Sequence, residues 1–93
     1  HMIGAQSWKQ GVATMADINR YFRQGWYVSP VVNGRALQGK PGYSQHVVLI
    51  TGLTKTHITF HNPGLPPKEH QRMTIKAFDR AFYGELRAWY LMR

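Results

Sequence analysis

Cysteine is absent from these 93 residues, which rules out a disulfide framework and a Cys-ligated zinc site and leaves the redox compartment unmarked. Acidic side chains are nearly as scarce, four against twelve Lys and Arg, so a formal charge of +8 biases the chain toward anionic partners. No apolar run approaches the roughly 20 residues that a membrane-spanning helix needs. Repeats, low-complexity tracts and long linkers are missing too, so residues 3–93 read as one small domain or part of one, with His1-Met2 as an expression scar.

What is present is apolar enough to fold. Twelve aromatics and 43% apolar residues argue for a globular core rather than a disordered chain. Thr14 followed three residues later by Asp17 forms a T-x-x-D capping box, Ile18, Tyr21 and Phe22 share a helical face, and Gly25 supplies a stop. These signals predict a helix over about 15–24. "WYVSPVVN" (26–33) is rich in strand formers, and Pro30, which lacks a ladder donor, assigns it to a sheet edge or a bulge. "GRALQGKPGYSQ" then reads as a loop.

His46 to Leu53 reads as one near-continuous strand, Thr54 to Thr56 as a turn, and His57 to His61 as a strand alternating through Ile58 and Phe60. After "NPGLPPKEHQ", read as a turn, Thr74 caps a short helix with Phe78, Ala81 and Phe82 on one face and Gly84 at its end. "ELRAWYLM" closes the chain as a strand with Leu86, Ala88, Tyr90 and Met92 on one side. The expected fold class is α+β, a small antiparallel sheet with two short helices.

The hairpin brings two polar residues together. Two registers are open: one sets His46 directly opposite Asn62, the other sets Asn62 opposite Val48 and diagonal to His46. Either allows the asparagine carbonyl to accept the imidazole N–H, fixing the tautomer and freeing the other ring nitrogen as a base.

On "GYSQHVVLITGL", "ITFHNPG", the Phe-containing "IKAFDRAF" and the terminal strand, the chain resembles the C-terminal half of papain-like cysteine peptidases, especially the C39-like branch. "TMADINRYFRQGWYVSPVVN" is similar to the helix, glycine and strand that come before the catalytic loop in that family. The resemblance implies His46 as base and Asn62 as its orienter, with Tyr43, Ser44 and Gln45 contacting a peptide or protein substrate and no cofactor or metal. It also implies a Cys nucleophile and an oxyanion donor on an N-terminal half preceding Ile3. Asn62 stands where this branch commonly has Asp. Ser44 lies too near His46 along the chain to replace the thiol.

Two other classes stay open: a nucleophile-free pseudo-peptidase that binds peptides, and a small basic nucleic-acid-binding protein. The cations, among them Arg20, Arg23, Lys76 and Arg80, are scattered rather than striped, which disfavours the latter. His57 and His61 share a face about 13 Å apart, too far for one metal. His70 receives no role, and Trp8, Trp26 and Trp89 are assigned to core area or to a surface covered by a partner half.

Overall fold

A computed structural model describes residues 8–63, 68–83 and 88–93. Strand β1 (Trp8–Val12) leads into helix α1 (Met15–Arg23), and β2 (Tyr27–Asn33) runs directly into a one-turn helix α2 (Gly34–Leu37). Then come β3 (Gln45–Val47), β4 (Leu49–Leu53), β5 (His57–Asn62), β6 (Lys68–Thr74), helix α3 (Ile75–Tyr83) and β7 (Ala88–Met92). The strands form antiparallel sheets in the orders β1-β7-β2-β3 and β4-β5-β6. The fold is α+β.

Local chemistry explains the helix ends. In α1 the Thr14 hydroxyl accepts the Asp17 N–H at 3.3 Å and an Asp17 carboxylate oxygen accepts the Thr14 N–H at 2.9 Å, so two otherwise orphaned donors are satisfied. Gly25 follows the C-cap at φ 90°, a left-handed conformation that a side chain would strain. At α3 the Thr74 hydroxyl accepts the Ala77 N–H at 3.2 Å. The expected glycine stop at Gly84 and the face position of Leu86 lie outside the described residues.

Helices α1 and α3 supply Ile18, Phe78, Ala81 and Phe82 to a core completed by Val28, Val32, Ile58, Phe60 and Leu91 from the strands. Phe60 and Phe78 rings sit 5.4 Å apart, tying α3 to the β4-β5-β6 sheet. Tyr21 presents its ring edge-on to Trp26 and Trp89, at 5.5 and 5.4 Å, tying α1 to the other sheet. Trp26 and Trp89 are therefore core residues.

Several expectations need correction. Strand β2 is not an edge: it lies between β7 and β3. Pro30 is tolerated there because its ladder with β7 ends at the Pro30↔Trp89 pair and the ladder with β3 begins at Val31↔Val47. Val48 N–H donates to Pro30 O at 3.3 Å, but proline has no N–H to return the bond. Pairing lapses at Val48, and the strand expected over 46–53 divides into β3 and β4.

The stretch read as a loop after Asn33 contains α2, and the stretch read as a turn through Gln71 contains most of β6. Strand β1 lies ahead of the first element read from the sequence. "KEHQRMT" has little strand propensity and is held by pairing along β5, an instance of tertiary context overriding composition.

Candidate functional site

The hairpin adopts the second of the two registers. Leu49↔His61 and Ile50↔Phe60 set Asn62 beside Val48, diagonal to His46, and a bulge at Thr51 shifts the pairing near the turn. The turn itself runs through Lys55 and Thr56, closed by Thr54 N–H to His57 O at 2.9 Å.

His46 is delivered by a hub at the end of β2. Asn33 caps α2 by accepting the Arg35 N–H at 3.1 Å, its Oδ1 also accepts the Ser44 N–H at 3.1 Å, and its Nδ2 donates to Gly42 O at 3.0 Å. Gly34 N–H donates to Ser44 O at 2.7 Å. One asparagine thus ties both ends of the loop to β2, and His46 pairs across from Val32. A Cβ on Gly34 would stand 3.3 Å from His46 Cβ, tighter than ordinary contact, so the bare glycine lets the α2 start press closely on the histidine.

His46 Nε2 donates to Asn62 Oδ1, and Asn62 Nδ2 donates to Gln71 Oε1 at 3.3 Å. A carbonyl oxygen can only accept, so the proton resides on Nε2 and Nδ1 of the neutral ring keeps its lone pair. Both members of the pair are half-buried. Such an arrangement can take a proton at Nδ1 and stabilise the resulting imidazolium through the asparagine carbonyl.

Tyr43, Ser44 and Gln45 are exposed on the approach to His46, Tyr43 with 60% of its surface open. The structure therefore sets all five expected site residues in one neighbourhood. His57 lies elsewhere, its Nδ1 2.8 Å from Thr56 Oγ1 at the hairpin turn. No group of three or more metal-ligating side chains occurs among the described residues.

Asn33, Gly34 and Gln71 were not found by sequence reasoning. An asparagine ending a strand ahead of a glycine is an N-cap signal that could have found the first of them. Gln71 carried no signal, because its relevance depends on β6.

The sheet also has a second apolar surface. Tyr27, Ser29, Val47, Leu49, Tyr90 and Met92 line a groove of about 400 Å³. Tyr27 pairs with Met92 and Ser29 with Tyr90, so the groove occupies the face opposite buried Val28 and Leu91. An antiparallel sheet with one solvated face usually alternates apolar with polar residues. Here Tyr27, Val47 and Met92 are instead apolar and exposed. No helix among the described residues is long and apolar enough to cross a membrane. In comparisons with known proteins, no family model, no curated protein and no solved structure matches this chain.

Proposed function

We propose that this chain is the base-bearing part of a papain-like thiol peptidase of the C39-like type, acting with a Cys supplied by another segment or chain. The observation that carries the reading is the hydrogen bond from His46 Nε2 to Asn62 Oδ1, on the motif positions that the resemblance marks as base and orienter. The thiol proton passes to His46 Nδ1, and the thiolate attacks the carbonyl carbon of the scissile peptide bond. The C–N bond then breaks as the imidazolium returns its proton to the departing amine, leaving a thioester. Water attacks that thioester with Nδ1 taking its proton, and the thiol leaves with the acid product released.

Turnover of a peptide by the full natural reading frame and its His46→Ala and Asn62→Ala variants tests this. Loss of roughly 10²- to 10⁴-fold in kcat/KM is expected for His46→Ala. Turnover unchanged in His46→Ala would sink the proposal.

A second reading, a peptide-binding module without catalysis, draws support from the groove of about 400 Å³ and the lack of a thiol in this chain. It takes over if the full natural chain supplies no Cys and turns nothing over while peptides perturb the Tyr27 and Tyr90 resonances. None of the six lining residues is basic, so the groove offers a nucleic-acid backbone no cation.

A further inference from the structure

The pairing of β5 with β6 changes register between Phe60↔Gln71 and Asn62↔Lys68. Two steps along β5 are matched by three along β6, so β6 carries one extra residue. His70 falls in this stretch with φ 55°, the non-glycine residue at positive φ among those described. A left-handed residue beside an extra position is the signature of a β-bulge, and bulges re-aim neighbouring side chains. The side chain next to this one is Gln71, whose Oε1 receives the Asn62 amide N–H at 3.3 Å.

An asparagine amide has two ends, and only one suits His46. With Oδ1 toward Nε2, the ring is a donor there and Nδ1 holds the lone pair; with Nδ2 toward Nε2, the roles reverse and the proton moves to Nδ1. Gln71 bears on that choice. With Gln71 Oε1 kept toward it, turning the Asn62 amide over would set Oδ1 against Oε1, two acceptors with no proton between them.

We propose that Gln71, delivered by the bulge at His70, is a positioning residue that holds the Asn62 carbonyl toward His46 and keeps the Nδ1 lone pair available as base. The geometry stands by itself, while its chemical consequence rests on the peptidase reading. A Gln71 amide could itself turn over with Asn62, whereas a glutamate can only accept.

The test is long-range ¹H–¹⁵N NMR of the histidine side chains in this chain, which reads which ring nitrogen carries the proton and how fast that proton exchanges. Gln71→Met, similar in length but without the acceptor, is expected to speed exchange of the His46 Nε2 proton on the order of fivefold. Gln71→Glu is expected to keep it protected. His70→Gly tolerates the positive φ and should leave the signal unchanged; His70→Val, β-branched and strained there, should weaken it. His57 and His61 serve as internal controls.

If Gln71→Met leaves the Nε2 proton as it was while Asn62→Ala abolishes its protection, Asn62 orients His46 without Gln71 and the role of Gln71 is overturned. Loss of protection in Gln71→Glu overturns it equally. An unchanged signal in His70→Val overturns the role of the bulge. If Asn62→Ala also changes nothing, the base assignment falls with it.

Discussion

At the scale of single residues, the site depends on contacts that a sequence pattern could only partly announce. His46 and Asn62 were legible because the β4–β5 pairing, continued one residue past Leu49↔His61, sets Asn62 beside Val48 and within reach of His46 on β3, although the single strand read through His46 is in fact broken at Val48. Gly34 was not, since its importance comes from a strand partner twelve positions away. The Cβ of Gly34→Ala would meet His46 Cβ at 3.3 Å, closer than ordinary contact, so the histidine must give way. We expect this variant to cost about 1–3 kcal/mol, as overpacked sites do, and to shift the His46 ring resonances more than those of His57. Thermal unfolding with side-chain NMR checks both parts; a stable variant with an unmoved His46 would show that the close approach is not a constraint.

Among the elements, legibility followed locality. Helix α1 was found because Thr14, Asp17 and Gly25 act within a few residues of one another, whereas α2 is only one turn long and β6 is polar and defined by its partner strand. Pro30 misled for a related reason: its missing donor is real, but the break falls at Val48, between β3 and β4, rather than on the edge of the sheet.

The capping box of α1 makes its own prediction. The Thr14 backbone N–H holds the Asp17 carboxyl below the ordinary carboxylate range, against an opposing desolvation effect and with lesser help from the Thr14 hydroxyl and Arg20. A carboxyl whose pKa is lowered by folding adds stability that is present above its unfolded pKa, near 4, and is lost as pH falls through the folded value. Asp17→Asn should therefore be less stable than the parent by a constant margin from pH 5 to 7, and the margin should close below pH 4. Denaturant titrations across that range measure it, and a margin unchanged down to pH 2 would mean the charge contributes nothing.

Over the whole molecule, two apolar faces of one sheet have different work to do. The inner face is closed by α1 and α3 and holds residues such as Phe78 at zero exposure, while the outer face leaves Tyr27 59% exposed. Sequence alone did not separate them, because β2 and β7 carry apolar residues at both parities and nothing local says which side the helices will cover. Phe78→Ala should cost about 3–5 kcal/mol, the range for an aromatic lost from a packed core. A chain of this length has on the order of 5–14 kcal/mol in total, and each kcal/mol is worth about 4–8 °C in Tm. Tyr27→Ser, on the open face, should stay within about 0.5 kcal/mol of the parent. That difference would leave the outer face free to change without loss of the core, as the proposed peptide-binding groove requires. If calorimetry finds Tyr27→Ser as costly as Phe78→Ala, the outer face is part of the folding core and cannot serve as a binding groove.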